Sequence, residues 1–400
     1  MTDRAARVLI AADKFKGSLT AAEVAAHLTA GLRRASPDLA VTALPVADGG
    51  DGTVDAAVAA GFERRTLRVA GPLGDPVTAS YALRGRDGLA VVEMAEASGL
   101  GRLPEGVRAP LTAGTFGTGE LLRAALDAGA RSLVLGVGGS ASTDGGAGML
   151  SALGARFLDR TGAPVRPGGG GLAGLATADL SGLDPRPAGI EVVLASDVDN
   201  PLTGPMGAAA VYGPQKGASP EEVAVLDAAL ARYAEVLEKA VGPRAAECVR
   251  APGAGAAGGL GYGALVGLGA RFRSGIALML DVLGFSAALE RADLVITGEG
   301  ALDAQTLRGK AVAGVAGAAL ERGVPVVAVC GRLSLPRESL GAVGIERAYA
   351  LTDLEPDVER CVAEAGALLE RVGERIGKDL GPGTSGRSEG TSRGYPLRGR

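Results

Sequence analysis

A repeated unit constrains the fold of this chain most: a short apolar strand enters a glycine-rich polar turn, which leads into a helix. Residues 133–150, LVLGVGGSASTDGGAGML, are its clearest example. The apolar run up to Val137 is typical of a buried strand, and apolar spacing resumes at Met149. We call the turn between them, residues 138–146, the glycine loop. Because similar turns follow other strands, we expect an α/β protein with ligand-binding groups beyond its strand ends.

The glycine loop predicts an anion site. Glycines allow several backbone amides to turn toward one point, hydroxyls add donors, and a following helix N-terminus favours negative charge. The phosphate-binding candidates are Gly138, Gly139, Ser140, Ser142 and Thr143. Since 65 of the 400 residues are glycine, an ordinary tight turn is the alternative. The position at a strand end favours binding.

A second interpretation of the same stretch is a dinucleotide site. Gly136, Gly138 and Ala141 fit the spacing G-x-G-x-x-A, and Asp159 follows at a distance suited to a ribose-binding acid. This pattern leaves an NAD-dependent oxidoreductase as an alternative function.

Composition excludes several classes of protein. No window approaches the roughly 18 apolar residues of a membrane span, and Asp13 interrupts the first apolar run too early for a secretory signal. We therefore expect a cytoplasmic protein without a membrane partner. Three cysteines without short spacing argue against disulfides and a zinc site. A net charge of −4 and the absence of Trp argue against a nucleic-acid partner.

Histidine and lysine are both scarce. The single histidine, His27, lies off the apolar face of a helix predicted over residues 20–35, so a carboxylate is the better general base. Four of the six lysines, Lys14, Lys16, Lys216 and Lys310, lie in glycine-punctuated turns, where an ammonium can act as a point charge for phosphate. This pattern favours a functional role for Lys16 and Lys310. It leaves Lys14 and Lys216 open between a site and ordinary exposed charge.

Carboxylates follow three of the predicted strands. Asp13 follows the strand at residues 8–12, and Asp48 and Asp51 lie in a glycine turn after the strand at residues 41–46. Asp197, Asp199 and Asn200 follow the strand at residues 191–195, in a loop that Pro201 prevents from continuing as helix or strand. These side chains suit a divalent cation or substrate hydroxyls.

The remaining pattern completes the secondary structure. Predicted elements include antiparallel strands at 77–83 and 89–94, a helix at 220–240 capped by Ser219, a strand at 293–297, a turn at 298–310, and helices at 312–321 and 358–376. The last residues are rich in Gly, Ser, Arg and Thr without apolar spacing, which predicts a disordered tail at 378–400.

Carboxylates, lysines and amide cradles together are the groups that phosphoryl transfer needs. The chain has no G-x-x-x-x-G-K-[ST] loop, because Lys310 is followed by Ala311 and Ala304 stands where the first glycine is required. A P-loop kinase is therefore excluded.

Seven motifs now identify a resemblance. They are DKFKGSLTA (13–21), PVADGGDGT (45–53), GVGGSASTDGGAG (136–148), SDVDNPL (196–202), GPQKGA (213–218), GAGAAGGLG (253–261) and ITGEGALDAQTLRGK (296–310). In order and content they resemble the glycerate kinase type I family, and they cover nearly the whole chain except the tail.

The resemblance implies phosphorylation of D-glycerate by ATP with Mg²⁺, at carbon 2 in preference to carbon 3. It implies a Rossmann-like parallel-sheet domain made of residues 1–70 and 286–377, and a mixed α/β middle domain at 71–285. The active site would lie in the cleft between these domains. We expect a monomer or a homodimer.

The resemblance also implies roles for single residues. Asp197 falls on the family's base. Lys16, of the motif that lines the substrate cleft, is the second catalytic candidate, and it or an arginine would meet the substrate carboxylate. The substrate-binding candidates are Asp13, Asp48, Asp51 and Asn200. The nucleotide would be held by the five glycine-loop residues named above with Glu299 and Lys310, and Asp303 is the candidate Mg²⁺ ligand.

Two departures from the family pattern bear on nucleotide binding. Ala301 stands where the family often has Arg, and Val312 where it often has Pro. Arg308 is a candidate replacement for the first. The departure at Ala301 motivates a further alternative, a non-catalytic nucleotide or metabolite sensor on a kinase fold.

Overall fold

The computed structural model describes residues 6–304, 306 and 310–380. The strands are β1 (Arg7–Ala12), β2 (Ala40–Ala43), β3 (Glu63–Ala70), β4 (Pro76–Arg84), β5 (Leu89–Glu93), β6 (Ser132–Gly136), β7 (Arg156–Asp159), β8 (Leu175–Asp179), β9 (Glu191–Ala195), β10 (Arg271–Arg273), β11 (Leu294–Leu302), β12 (Val326–Leu333) and β13 (Ile345–Ala350).

The α-helices are α1 (Ala21–Ala35), α2 (Thr53–Ala59), α3 (Ala95–Ser98), α4 (Phe116–Asp127), α5 (Ala147–Ala152), α6 (Ala208–Tyr212), α7 (Pro220–Val241), α8 (Arg244–Cys248), α9 (Ala256–Gly267), α10 (Gly275–Leu283), α11 (Phe285–Leu289), α12 (Ala311–Glu321), α13 (Arg337–Ala342), α14 (Val358–Ala363) and α15 (Ala365–Leu380). Single 3₁₀ turns connect several of them.

The chain divides into two compact units. The first ends at Asp48 and resumes at Ile276, and the second is Gly49–Gly275. The division predicted from the sequence lies at residues 70 and 285 instead. Strand β3 accounts for much of the difference, because it pairs antiparallel with β4 from Glu63↔Leu83 to Ala70↔Pro76 and so belongs to the sheet of the second unit.

The first unit is built on a parallel sheet with strand order β13-β12-β11-β1-β2. Its strands come from both ends of the chain, which confirms the predicted Rossmann-like class. Helix α1, predicted from its apolar face, begins with a capping box between Thr20 and Glu23. It packs closely on α15: a Cβ at Gly31 would lie 2.0 Å from the Glu370 carbonyl oxygen, so only glycine permits this contact.

The second unit holds a mixed sheet with strand order β10-β9-β6-β5-β4-β3. The strands from β10 to β5 are parallel, and β4 and β3 run antiparallel, as the alternating sequence pattern predicts for β4 and β5. Helices α4, α5, α7 and α9 contribute to the apolar core beside this sheet. The mixed α/β class of this unit is also confirmed.

Three predicted boundaries are wrong. The turn expected from residue 298 begins later, because β11 continues to Leu302, which pairs with Leu333 of β12. The helix expected at 358–376 is two helices, α14 and α15. Because α15 runs to Leu380, the first three residues of the predicted tail are helical, and residues 381–400 lie outside the described residues.

Across the described residues, none of the helices combines the length and apolarity that crossing a lipid bilayer requires.

Candidate active site

Four carboxylates gather at the carboxyl ends of the first unit's parallel strands, and we call them the acidic cluster: Asp13, Asp48, Glu299 and Asp303. Asp13 directly follows β1, and its amide donates to the Gly298 carbonyl of β11 at 2.8 Å. The Thr306 hydroxyl donates to Glu299 Oε1 at 2.7 Å and accepts from the Asp303 amide at 3.1 Å. Sheet pairing thus brings together residues that are far apart in sequence.

The acidic cluster holds unfavourable negative charge. Burial raises the pKa of Asp13 from 3.8 to about 7, with a further increase from the carboxylates of Asp48 and Glu299, while Lys14 acts in the opposite direction. Burial also raises the pKa of Glu299, which Thr306 and Lys310 partly offset. Such perturbed groups at strand ends are typical of functional sites.

Removing the Asp13 charge should stabilise the protein in a pH-dependent way. The unfolded carboxyl ionises near pH 3.8 and the folded one at about pH 7, so its destabilising effect develops between these values and is complete above them. We expect Asp13→Asn to gain about 1–2 kcal/mol of unfolding free energy at pH 8 and less at pH 5. Thermal melts at both pH values measure this.

The matched control is Asp38→Asn, which changes an exposed aspartate of the same unit. It should alter the melting temperature little at either pH. If Asp13→Asn raises the stability of the protein equally at pH 5 and pH 8, the Asp13 carboxyl of the parent protein titrates at an ordinary pH.

The lysines of the first unit differ in position. Lys16 is exposed, in the turn before α1, and Lys14 and Lys310 are partly buried. Lys310 immediately precedes α12, and its charge lowers the pKa of Glu299. Lys14 and Lys310 therefore act electrostatically on the acidic cluster, while the Lys16 ammonium is accessible to solvent.

The structure places both residues that depart from the family pattern, Ala301 and Val312. Ala301 lies in β11, where its register partner on β12 is Arg332, an exposed residue. Val312 is fully buried in α12. The suggested replacement, Arg308, lies outside the described residues.

No group of three or more His, Cys, Asp or Glu side chains in the described ranges is placed to hold a metal ion. Mg²⁺ in kinases commonly needs only one or two protein carboxylates, since substrate phosphates and water complete its shell. Glu299 and Asp303 fit that smaller requirement, because their oxygens are hard donors and their charges interact.

In the second unit, the glycine loop follows β6 and is packed tightly on its neighbours. A Cβ at Gly138 would lie 2.4 Å from Gly50 Cα, and one at Gly258 would lie 2.0 Å from the Ser142 carbonyl oxygen. Gly258 belongs to a left-handed turn in which Ala257 has φ +52°, the one non-glycine residue of the described chain with positive φ. Backbone strain of this kind clusters at functional sites.

The amides of the glycine loop fall into two groups. The amides of Gly138, Ala141 and Gly145 donate to backbone carbonyls of other segments at 3.0–3.2 Å. The Gly146 amide donates to Asp144 Oδ1 at 3.1 Å. The other five amides donate to no acceptor within the described residues, and they belong to Gly139, Ser140, Ser142, Thr143 and Asp144. Several unused amides in one loop, here five, are the arrangement that an anion-binding backbone needs.

The hydroxyls of this loop are turned inward. Ser140 is 6 % exposed and Ser142 and Thr143 are 0 % exposed, and the Ser142 and Thr143 hydroxyls have no partner within the described residues. The helix that follows, α5, has only six residues. The helix-dipole part of the predicted anion site is therefore weak, and the amides are its main donors.

Lys216 is buried rather than exposed in its turn. It is 2 % exposed, and its Nζ donates to Ser140 Oγ at 3.0 Å and to the Ser142 carbonyl oxygen. Burial lowers its pKa from 10.5 to about 7, while the charge of Asp144 acts to raise it. The reading of Lys216 as ordinary exposed charge is therefore wrong.

Two buried carboxylates of this unit escaped the sequence analysis. Asp144 accepts from the Thr115 amide and hydroxyl at 2.9 and 2.8 Å, and from the amides of Gly146 and Gly148 at 3.1 and 3.2 Å. Glu93 accepts from the amides of Gly52 and Val54 at the start of α2. Burial raises the pKa of Glu93 to about 7. Only its position within the glycine loop pointed to Asp144, and no motif pointed to Glu93.

Asp197 directly follows β9 and is held by neighbours at its side. Its Oδ1 accepts from the Ser274 hydroxyl and the Gly275 amide, both at 2.8 Å. Ser274 follows β10, which pairs in parallel with β9, so sheet pairing sets this geometry. The carboxylate is fixed by two donors to one of its oxygens.

The other predicted site residues of this unit, Asn200 and Asp51, differ in their hydrogen bonds and exposure. The Asn200 amide donates to the Met206 carbonyl at 2.8 Å, and its oxygen accepts from the Tyr212 hydroxyl at 2.6 Å. Asn200 therefore fixes the loop in which it lies. Asp51 is exposed, and a Cβ at Gly139 would lie 2.1 Å from its Oδ1. The predicted site residues thus form two groups, one in each unit.

The dinucleotide interpretation does not fit the structure. Asp159 ends β7, where its Oδ1 accepts from the Thr161 amide and hydroxyl and the Ala163 amide within the β7–β8 connection. It shapes a local turn. His27, which the sequence places off the apolar face of its helix, is partly buried, and its Nδ1 lies 2.9 Å from Glu370 Oε1.

Comparisons with known proteins agree on one family. The model of the glycerate kinase family matches residues 8–381. A glycerate kinase of Bacillus subtilis is 44 % identical over 94 % of this chain and 97 % of its own length, and the glycerate 2-kinase of Escherichia coli is 43 % identical over 86 % and 90 %. A solved structure named for glycerate kinase 2 of Salmonella typhimurium LT2 matches with a TM-score of 0.79 and 42 % identity, over 93 % of this chain and 97 % of that one. The chain therefore belongs to the glycerate kinase family.

Proposed function

We propose that this chain transfers the γ-phosphoryl group of ATP to the carbon-2 hydroxyl of D-glycerate. Membership of a kinase family supports phosphoryl transfer to glycerate. The name of the Escherichia coli relative, glycerate 2-kinase, favours carbon 2 over carbon 3. The structural observation that carries the ATP-binding part is the set of five amides in the glycine loop that donate to no acceptor within the described residues.

The sensor and oxidoreductase alternatives are not favoured. Relatives that are 45 % and 36 % identical are named as glycerate kinases. The Oδ1 of Asp159 serves a local turn.

In the proposed reaction, Asp197 accepts the proton of the glycerate hydroxyl as its oxygen attacks the γ-phosphorus. The bond from that phosphorus to the bridging oxygen breaks, and ADP leaves with the bonding electrons. The donors from Ser274 and Gly275 hold one carboxylate oxygen in place. Such fixed orientation is what efficient proton transfer requires.

The glycine loop would hold the phosphates of ATP through the amides of Gly139, Ser140, Ser142 and Thr143. The buried, unpartnered hydroxyls of Ser142 and Thr143 also support a polar ligand here, since such groups are rarely left unpaired.

In the first unit, the exposed Lys16 ammonium is suited to the glycerate carboxylate, and Asp13 and Asp48 to its hydroxyls. Asp51 and Asn200 are the second unit's substrate-binding candidates. Glu299 and Asp303 would hold Mg²⁺, which neutralises phosphate charge when bound, and Lys310 would add positive charge beside them.

A phosphorus NMR time course with D-glycerate, ATP and Mg²⁺ tests the function. We expect 2-phosphoglycerate to accumulate together with ADP. A 3-phosphoglycerate signal would overturn the carbon-2 assignment, and intact ATP would overturn the kinase function.

The amide cradle predicts a selective effect of Gly139→Ala. Gly139 has φ +73°, a backbone conformation that costs an alanine roughly 1–2 kcal/mol, so the loop should shift. The new Cβ would also lie 2.1 Å from Oδ1 of Asp51, a glycerate-binding candidate. We therefore expect KM for ATP to rise about 10-fold and KM for glycerate to rise by a smaller factor. Steady-state kinetics with each substrate varied in turn measures this.

Gly174→Ala is the control, because no atom lies within 4 Å of a Cβ there and its φ is not positive. It should leave both KM values unchanged. Equal changes in the two KM values of Gly139→Ala would contradict a specific role in nucleotide binding.

A further inference from the structure

Lys216 occupies an unusual position for a lysine. It ends a 3₁₀ turn, Pro214–Lys216, between α6 and α7. The turn is fixed by backbone bonds from the Lys216 amide to the Gly213 carbonyl and from the Gly217 amide to the Pro214 carbonyl, both at 3.0 Å. The side chain points inward and is 2 % exposed. A rigid turn therefore delivers one amine to a defined place inside the second unit.

The amine binds the glycine loop at two points. Its Nζ donates to Ser140 Oγ at 3.0 Å and to the Ser142 carbonyl, and Ser140 Oγ in turn donates to that same carbonyl at 3.1 Å. The three groups form a closed set of hydrogen bonds. The Ser142 carbonyl and the Thr143 amide belong to one planar peptide unit, so the bond from Nζ to that carbonyl also sets the direction of the Thr143 amide.

The residues that Lys216 holds are among those with unused amides. Ser140 and Ser142 each donate no backbone hydrogen bond within the described part of the chain. We propose that Lys216 is a positioning residue, which holds Ser140 and the Ser142 carbonyl so that the loop amides face an anionic phosphate group. The proposal rests on the function proposed above for the nucleotide phosphates.

The charge state of Lys216 gives the proposal a distinctive signature. Both of its hydrogen-bond partners are neutral, and the charged group whose field acts on it is Asp144. A charged side chain beside the turn itself is Arg108, which packs against Gly217. It is exposed, and its Nη1 donates to the Val107 carbonyl. Burial lowers the Lys216 pKa to about 7, so a bound phosphate would favour the ammonium form. When a phosphate group binds between about pH 7 and pH 8, the Lys216 amine should take up a proton from solution.

Lys216→Met separates positioning from stability. Methionine has similar length and no donor, and replacing a buried charge by an apolar side chain is often neutral or stabilising. We expect an unchanged or higher melting temperature at pH 7. A lysine needed only for folding would show the opposite, a clear loss of thermal stability.

The experiment is titration calorimetry at pH 7.5 with ATP and with inorganic tripolyphosphate, in two buffers of different ionisation enthalpy. For Lys216→Met we expect both ligands to bind about 10- to 100-fold more weakly and proton uptake to disappear. KM for glycerate should stay within about 3-fold. Ser140→Ala should weaken binding in the same direction, by about 3- to 10-fold. Lys239→Met, at an exposed position of α7, should bind like the parent protein.

Unchanged affinity and unchanged proton uptake in a folded Lys216→Met protein would overturn the proposal. If that variant does not fold, tight binding by Ser140→Ala would overturn it. Weakened binding of tripolyphosphate supports it even if the parent protein fails to phosphorylate glycerate, so failure of the proposed function is seen separately. Absence of binding of both ligands to the parent protein would overturn the proposal.

Discussion

Asp197→Asn is expected to lower kcat by about 100- to 10,000-fold, the usual range for loss of a general base. The amide oxygen can still accept from Ser274 and Gly275, so the loop geometry should survive while the proton acceptor is lost. A coupled assay of ADP formation measures kcat, and calorimetry measures whether ATP still binds. Both substrates should bind with near-normal affinity.

Asp199→Asn is the matched control, since Asp199 is an exposed carboxylate of the same loop. Its kcat should stay within about 3-fold of the parent value. A kcat for Asp197→Asn that is equally close to the parent would assign the base to another residue and leave the family assignment intact.

Asp144→Ala is expected to destabilise the protein by about 3–5 kcal/mol, because a buried carboxylate with several donors is removed. Its four hydrogen bonds come from Thr115, Gly146 and Gly148, and those donors would remain buried without an acceptor. Urea unfolding followed by circular dichroism measures the loss. Stability of this size is a large share of the total for a typical domain.

Asp144→Asn and Asp127→Ala are the two control variants, and both should lose less stability than Asp144→Ala. The amide keeps one acceptor oxygen, so we expect a smaller loss than for alanine. Asp127 pairs with Arg186 at the surface, where such ion pairs contribute roughly 0–1 kcal/mol. If Asp144→Ala unfolds at the same urea concentration as Asp127→Ala, the Asp144 network contributes little to stability.

Local sequence was sufficient for much of the architecture. Helices α1 and α7 begin where they are predicted, α7 with the predicted cap Ser219. Each start has a capping box whose interacting groups lie three residues apart. The apolar run before the glycine loop is β6, and the strand after residue 190 is β9 with the predicted bounds. Local spacing does not predict where a strand ends when the pairing partner is distant in sequence. The last residues of β11 are strand because β12 pairs with them.

The sequence by itself determined the α/β class, the order of the motifs and the glycine loop as a candidate anion site, because these follow from local spacing and residue chemistry. Only the tertiary structure decided which groups of that loop are available. Lys216 and Ser140 are 76 positions apart, so no local pattern reports their hydrogen bond or the burial that lowers the lysine pKa. The burial of Asp144 and Glu93 likewise depends on the packing of distant segments, and so do the five loop amides that have no acceptor within the described residues.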